Sequence, residues 1–327
     1  MATPILSVLL PNFNNAPFLR ECLDSLYNQT FQDFIIFFVD DCSTDNSVEI
    51  AASYPQEKMV IIRKDRNSGI VDTMNAGLDQ IVSKYFIRMD GDDINKLDRF
   101  EKLVEFMEAN PKIDVCTSNI ETFGTEREII YYEKDALQNK ANLIFSHTIG
   151  HPSSIFRTST LKDHGIKYLN DFWRLEDFQL FYRMKDIAQF SALDQILYLY
   201  RRGAYNINDE IHAKKIIEYK KIYSMIFNDL KLDFQDEDLE IHLELAGIKK
   251  LTKDINKFKN HVHKLIESNS LTGVFPDKEL KICLNRALMR VCFWSVDNKS
   301  ITLIKLLPFI TKNRKLLKYY LIKKVRG

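Results

Sequence analysis

The stretch "YFIRMDGDDINKLDRFE", residues 85–101, runs from an apolar segment into three carboxylates, Asp90, Asp92 and Asp93, and then into a helical pattern. "YFIRM" has the length and composition of a buried strand, while "DRFEKLVEFMEANP" spaces its apolar residues as a helix does. A strand that ends on polar groups and feeds a helix is one unit of a parallel sheet, where ligands gather at the carboxyl ends of strands. The fold therefore turns on whether this unit repeats.

It does. "ILSVLLP" (5–11) leads through "NFNNAP" to Leu19, Cys22, Leu23 and Leu26 at helical spacing, with Pro17 near the helix start. "FIIFFVDD" (34–41) stops at two aspartates ahead of the helix-like "STDNSVEIAASY". "MVIIRK" (59–64) precedes "SGIVDTMNAGLDQIV", and "DVCTSN" (114–119) follows the helix after the acidic stretch. The expectation is an α/β fold with a parallel sheet covered by helices on both faces. Residues 11–15, 40–45, 65–69 and 90–93 then share one rim of that sheet. Residues 120–205 alternate less regularly and read as an antiparallel extension. Beyond about residue 210 the chain turns helical and Lys-rich, so two domains are expected, 1–208 and 209–327.

Bulk properties exclude some classes of function. The 327 residues are 45% hydrophobic and 28% charged with a net charge of +1, which is ordinary for a soluble globular chain and implies no nucleic-acid partner. Cys22, Cys42, Cys116, Cys283 and Cys292 are odd in number and form no CxxC pair, as in a reduced, cytoplasmic chain with buried thiols. The N-terminus has no basic leader, and no apolar run reaches the roughly 18 residues that span a bilayer. Residues 301–327 hold no acidic side chain but eight basic ones, Lys305, Lys312, Arg314, Lys315, Lys318, Lys323, Lys324 and Arg326. Interleaved with Leu, Ile and Tyr, they suit an amphipathic helix on an anionic membrane surface, or a packed helix with a solvated basic face.

The acidic stretch admits three readings. A calcium loop places Asp90, Asp92 and Glu101 correctly, but Ile94 stands where an oxygen ligand is needed and Asn95 replaces the turn glycine. A solvated turn capping the next helix is the bland reading. The third is a divalent-cation site: carboxylates one residue apart can reach one hard ion, and Gly91 lets the backbone turn between them.

Taken with its neighbours, the stretch resembles the family 2 glycosyltransferases, which have the GT-A fold. "SVLLPNFNN" resembles that family's opening strand and loop, "VDDCSTDNS" its DD-x-S-x-D segment, and "DRNSGIVDTMNAGL" its Asn/Gly segment through Asn67, Gly69, Asn75 and Gly77. "MDGDD" resembles its metal motif, "WRLEDFQLFYRM" its late ED helix, and "LYLYRRGAYNIN" the strand and loop after it. The resemblance covers about the first 205 residues, in the family's order.

What the resemblance implies is an inverting, bacterial-type transferase. It would move a sugar from a nucleotide-diphosphate donor, with UDP expected, to a hydroxyl of a glycan or lipid-linked acceptor in surface polysaccharide synthesis. Attachment to the inner face of the plasma membrane goes with that role. It implies that Asp41 accepts the uracil imide N–H, in a pocket lined by Pro11, Phe13 and Asn14; Asp40 either takes this role instead or caps the following turn. Arg66 either touches the base or phosphate or is a free surface arginine, beside Asn67, Gly69 and Asn75 of the donor site. Asp90, Gly91, Asp92 and Asp93 are assigned to the ribose and to Mn²⁺ or Mg²⁺ on the diphosphate, with Asp92 the first choice of ligand. Asp177 stands in the position of the base with Glu176 beside it; the other reading of that pair is a charge pair favoured by a helix N-terminus. His151 either contacts phosphate or acceptor or is structural, and so is Trp173 either a stacking surface or core. His261 and His263, two apart in a helical pattern, face apart.

Other functions fit less well. A nucleotidyltransferase usually has a glycine-rich first loop, and "PNFNNAP" has none. A non-catalytic sugar-nucleotide-binding module would not need both the acidic stretch and Glu176–Asp177. No G-x-G-x-x-G follows a strand, which argues against a dinucleotide-dependent oxidoreductase.

Overall fold

The computed structural model describes residues 3–203, 209–252 and 254–297. It divides into two compact units, one of residues 1–143 with 147–211 and one of residues 144–146 with 212–327. The basic segment 301–327 lies outside the described residues.

The first unit is built on a nine-stranded sheet. β1 (Leu6–Asn12), β2 (Phe34–Asp40), β3 (Met59–Arg63) and β4 (Tyr85–Arg88) run parallel in the order β3-β2-β1-β4. Every residue of β1 is buried, as expected of a strand covered on both faces. Between these strands lie the helices α1 (Ala16–Tyr27), α2 (Ser47–Ala52) and α3 (Ile70–Leu78), and α4 (Arg99–Ala109) follows the acidic stretch. Pro17 sits in the first turn of α1, where its missing N–H costs nothing. α3 lies so close to the sheet that a Cβ on Gly77 would run into the Leu9 side chain and meet Val39 Cγ2 at 2.9 Å.

The sheet continues through β5 (Ile94–Asn95), β6 (Val115–Gly124), β7 (Ile129–Ile130), β8 (Ser154–Arg157) and β9 (Phe190–Arg202). β8 is antiparallel to β4 and β6, but β6 and β9 pair in parallel over ten residues with a bulge at Ser118–Ile120. The extension is therefore mixed rather than antiparallel throughout. Its cause is the connection: α5 (Ala136–Asn142), β8, α6 (Thr158–Asp163) and α7 (Glu176–Met184) return the chain before β9 begins, as a parallel pairing requires. β5, which pairs with β9, is two residues long and leaves no periodicity to read.

The second unit carries α8 (Asp209–Asp229) from residue 212 onward, with α9 (Asp236–Ala246), α10 (Ile255–Thr272) and α11 (Asp277–Asp297). α9 opens on a reciprocal capping box between Gln235 and Asp238 and closes on Gly247 in the left-handed region. Tyr223, Phe227, Leu243, Phe258, Leu265 and Leu284 are buried in this unit, and so are two histidines, His242 and His261. His263 is exposed, so the two histidines of α10 do face apart. Among the described residues no helix is long and apolar enough to cross a membrane. All five cysteines are free, and only Cys42 is partly exposed.

Candidate active site

The ends of β1 and β2 are stitched together by polar side chains. Asn12 donates from Nδ2 to Asp40 Oδ1 at 2.9 Å and to Ser43 Oγ at 3.1 Å, and its buried Oδ1 has no hydrogen-bond partner among the described residues. Asp40 is fully buried and also accepts from the Ser43 amide, so it caps the turn after β2. Asn14, in the left-handed region at φ 53°, accepts the Thr44 amide on Oδ1. Pro11 is buried within β1, whereas Phe13 is exposed at the rim.

Asp41 points the other way along that rim. Its carboxylate accepts the amides of Ser68 at 3.0 Å and Gly69 at 2.8 Å and meets the Lys64 ammonium at 2.7 Å. Burial works to raise its pKa, but Lys64 and the two amides outweigh it and hold the carboxyl below its usual range. Arg66 and Asn67 are exposed in the loop so anchored. Asn75 spends both ends of its amide on Tyr168, donating to the carbonyl and accepting from the amide, each at 3.0 Å.

The acidic stretch folds back against β9. Asp93 is fully buried, with Oδ2 accepting the Tyr198 hydroxyl at 2.7 Å and Oδ1 the Arg201 amide at 2.7 Å. Arg201 Nε donates to the Asp92 carbonyl at 2.7 Å. Asp90 pairs with the buried Arg88 at 2.5 Å. Asp93 thus faces β9, while Asp90 and Asp92 remain partly exposed. Burial first, then the neighbouring Asp90, raises the pKa of Asp92. Gly91 has no positive φ among the described backbone outliers. Its need for glycine is instead one of space, since a Cβ would meet Asn15 Nδ2 at 3.0 Å and Asn12 Oδ1 at 3.5 Å.

Glu176 and Asp177 form the first turn of α7. Asp177 Oδ1 accepts the Phe178 amide at 2.7 Å, and Oδ2 lies 3.2 Å from His147 Nε2. Burial would raise the pKa of Asp177, yet His147, His151 and the Phe178 amide together bring it below the carboxylate range. Glu176 is pushed the opposite way, by burial and then by Asp177, and its buried Oε2 has no hydrogen-bond partner among the described residues. His151 is buried with Nε2 2.8 Å from the Tyr168 hydroxyl, on the wall of the cavity that holds Asp177; burial and the charge of Arg88 lower its pKa to about 3. Trp173 is half-buried under the Arg174 guanidinium.

Two cavities connect these groups. One of about 200 Å³ is walled by Tyr132, His147, Asp177, Tyr200 and Arg202 among others, the second, of about 440 Å³, by Asp92, Arg174, Tyr200, Arg201 and Arg202. Tyr200 and Arg202 are common to both. The carboxylate at the head of α7 and the carboxylate of the acidic stretch therefore line two cavities that share Tyr200 and Arg202, at the end of β9.

The residues here offer part of a cation site. Among the described residues no group of three or more His, Cys, Asp or Glu side chains could hold an ion alone. Asp90 and Asp92 offer hard oxygen donors, and burial followed by the neighbouring Asp90 raises the Asp92 pKa, so a cation with further oxygens from a bound molecule would suit them. Reasoning from sequence alone did not find Arg88, Tyr198, Arg201 or the contact of His147 with Asp177. A signal existed for Arg88, since a charge inside the buried run "YFIRM" requires a partner.

Comparison with known proteins places this geometry. Residues 7–165 match the family model described as glycosyl transferase family 2. An uncharacterized glycosyltransferase of Haemophilus influenzae is 25% identical over 291 residues, 83% of this chain and 89% of that protein. Among solved structures, residues 1–349 of S. aureus TarS, in complexes with UDP and with UDP-GlcNAc, superpose with a TM-score of 0.58 at 20% identity; the UDP complex covers 86% of both chains. The mannosyltransferase PcManGT of Pyrobaculum calidifontis, with GDP-Man and Mn²⁺, gives a TM-score of 0.51 at 15% identity, over 97% of this chain and 81% of that one. These likenesses establish the fold, which is the GT-A fold expected from sequence.

Proposed function

Because residues 7–165 belong to glycosyl transferase family 2, we propose that the chain transfers a sugar from a nucleotide-diphosphate donor to an acceptor hydroxyl with inversion. The observation that carries this reading is a pair of cavities: Asp177 lines one and Asp92 the other, with Tyr200 and Arg202 on the wall of both. A base and a diphosphate-binding pair of carboxylates are what a single in-line displacement needs on either side of the reacting carbon.

Asp177 is the base. As the acceptor oxygen bonds to the anomeric carbon, its O–H breaks and the proton passes to the Asp177 carboxylate. The bond from the anomeric carbon to the diphosphate breaks with its electron pair on the leaving oxygen. Glu176, one residue away, cannot share that role, since adjacent helical side chains point in different directions. Asp90 and Asp92 would hold Mg²⁺ or Mn²⁺ together with the diphosphate, and Asp93 positions them by gripping Tyr198 and Arg201. When bound, such an ion stabilises the charge that builds on the leaving diphosphate.

Asp41, with the loop of Arg66, Asn67 and Gly69 that it anchors, and the rim residues Pro11, Phe13 and Asn14 form the base end of the donor site. Asp40 supports that end through the turn it caps, and Asn75 through Tyr168. Uridine is the preferred nucleotide, supported by the UDP complexes of the TarS structures. The acceptor is a glycan or lipid-linked glycan. The basic composition of 301–327 supports its presentation at an anionic membrane surface.

The test is a screen of UDP-, GDP- and dTDP-sugars with and without Mn²⁺, read by thermal shift and donor hydrolysis. Stabilisation and slow hydrolysis by one UDP-sugar, strengthened by Mn²⁺, is the expected result. Stabilisation by GDP- or dTDP-sugars alone would overturn uridine, and no response to any nucleotide sugar would overturn the transferase reading.

A further inference from the structure

We propose that His147 is a positioning residue for Asp177, and that the two side chains take up the acceptor's proton as one unit. The proposal rests on Asp177 acting as the base. Both nitrogens of the His147 ring are committed: Nδ1 lies 2.8 Å from the Ile149 carbonyl and Nε2 lies 3.2 Å from Asp177 Oδ2. A carbonyl can only accept, so Nδ1 carries a proton in every state that keeps this contact. Nε2 then has a proton to share with Asp177, or a lone pair turned toward it.

This arithmetic gives the pair two states. With one proton fewer, neutral His147 faces ionised Asp177, and a proton arriving on Oδ2 finds Nε2 waiting as its acceptor. With one proton more, the space between Nε2 and Oδ2 is already filled, as imidazolium and carboxylate, and the pair has lost its capacity as a base. Oδ1 is meanwhile fixed by the Phe178 amide, so the ring contact sets which oxygen takes the proton. Transfer balances as before: the acceptor O–H breaks, its proton comes to rest between Oδ2 and Nε2, and its electron pair forms the glycosidic bond.

Several described neighbours of the pair are poor proton acceptors near neutral pH. His151 is held neutral, with a pKa of about 3. Tyr132 and Tyr168 are pushed far above the ordinary phenol range by burial, and Tyr200 to about 12 by burial and the nearby aspartates. Glu176 shares the first turn of α7, and Arg202 is the cation on the cavity wall.

The experiment needs no acceptor. Protein labelled with ¹⁵N-histidine is titrated by NMR, as wild type, Asp177→Asn and His147→Gln, the last assigning the His147 signals. The expected result is a proton held on Nδ1 throughout, with Nε2 losing its proton at higher pH in wild type than in Asp177→Asn. Hydrolysis of the UDP-sugar selected by the donor screen is then followed against pH. The wild-type acid limb should track the NMR titration, and in His147→Gln it should fall to the carboxylate range, with kcat down about tenfold to a hundredfold and KM unchanged. Identical His147 titration in wild type and Asp177→Asn, or an unmoved acid limb in His147→Gln, would overturn the pairing. Full turnover in Asp177→Asn would instead overturn the base itself, so the two failures are distinguishable. Folding of each variant is checked by its thermal transition, and His147→Asn is the second substitution should His147→Gln not fold.

Discussion

Tyr198 donates its hydroxyl to Asp93 at 2.7 Å across 105 residues of chain, and this bond sets the acidic stretch against β9. Removing the hydroxyl leaves a buried carboxyl with, among the described residues, only the Arg201 amide as a hydrogen-bond partner. Tyr198→Phe should therefore lower stability by about 1–3 kcal/mol and weaken Mn²⁺-dependent binding of UDP, although Tyr198 would touch neither. Urea denaturation measures the first effect and calorimetry the second; a variant matching wild type in both would show that the stretch holds its shape unaided.

Asp92 is the aspartate of the stretch that opens onto the larger cavity, and Asp93 is turned away. Asp92→Asn should remove most of the Mn²⁺ dependence of UDP binding, because a hard cation loses an anionic oxygen it shares with the diphosphate. Asp93→Asn should act mainly on stability. Calorimetric titration with UDP, with and without Mn²⁺, separates the two. Retained Mn²⁺ dependence in Asp92→Asn would shift the ligand role to Asp90.

Asp177→Asn keeps the shape of the side chain and removes its basicity. Donor hydrolysis and transfer should fall by about 10²–10⁴-fold, while the UDP-sugar still binds with nearly wild-type affinity. Equilibrium binding and initial rates on the same preparation decide it. Equal losses in both would assign Asp177 to the donor pocket rather than to the proton.

The fold is legible because four buried runs each stop at polar residues and lead to helices, so the rim shows in the sequence itself. What stayed hidden depends on contacts distant in sequence. Asp90, Asp92 and Asp93 look alike in "MDGDD", and only β9, a hundred residues on, separates Asp93 from the others. The role of Gly91 was read as a sharp turn, whereas the closeness of Asn15 explains it better. β5 was too short to show a period, and the parallel course of β9 depended on how the intervening helices returned the chain. His147 was visible as a residue, but its contact with Asp177 lies across a loop and a helix that periodicity does not orient.

The basic segment 301–327 yields a prediction from composition. Deleting it removes eight positive charges and no negative one. Binding to vesicles containing anionic lipid should fall in the truncated chain and should be salt-sensitive in the full chain, as expected of charges near a lipid surface. Equal sedimentation of both chains with vesicles would leave the segment without a membrane role.

The buried histidines of the second unit make stability depend on pH. His242 Nε2 lies 2.8 Å from the Ile144 carbonyl, so that nitrogen donates; Nδ1 must then accept from His261 Nε2 at 3.0 Å. That leaves His261 Nδ1 without a proton, 3.8 Å from Asp238. Adding a proton to His242 would set two donors against each other, and burial lowers its pKa well below the ordinary value. His261 is lowered to about 4, by burial against the opposing pull of Asp238. Both are depressed in the folded state, so the unfolded chain binds more protons once pH falls below about 6.5. Stability is complete above that pH and is lost as pH drops toward 4, at about 1.4 kcal/mol per pH unit for each histidine. His261→Gln keeps a donor for His242 Nδ1 but cannot titrate. Its urea-denaturation free energy should fall less steeply than wild type between pH 6.5 and 4, by about one histidine's share. Parallel curves for the two proteins would mean that His261 is already charged in the folded state, in an ion pair with Asp238.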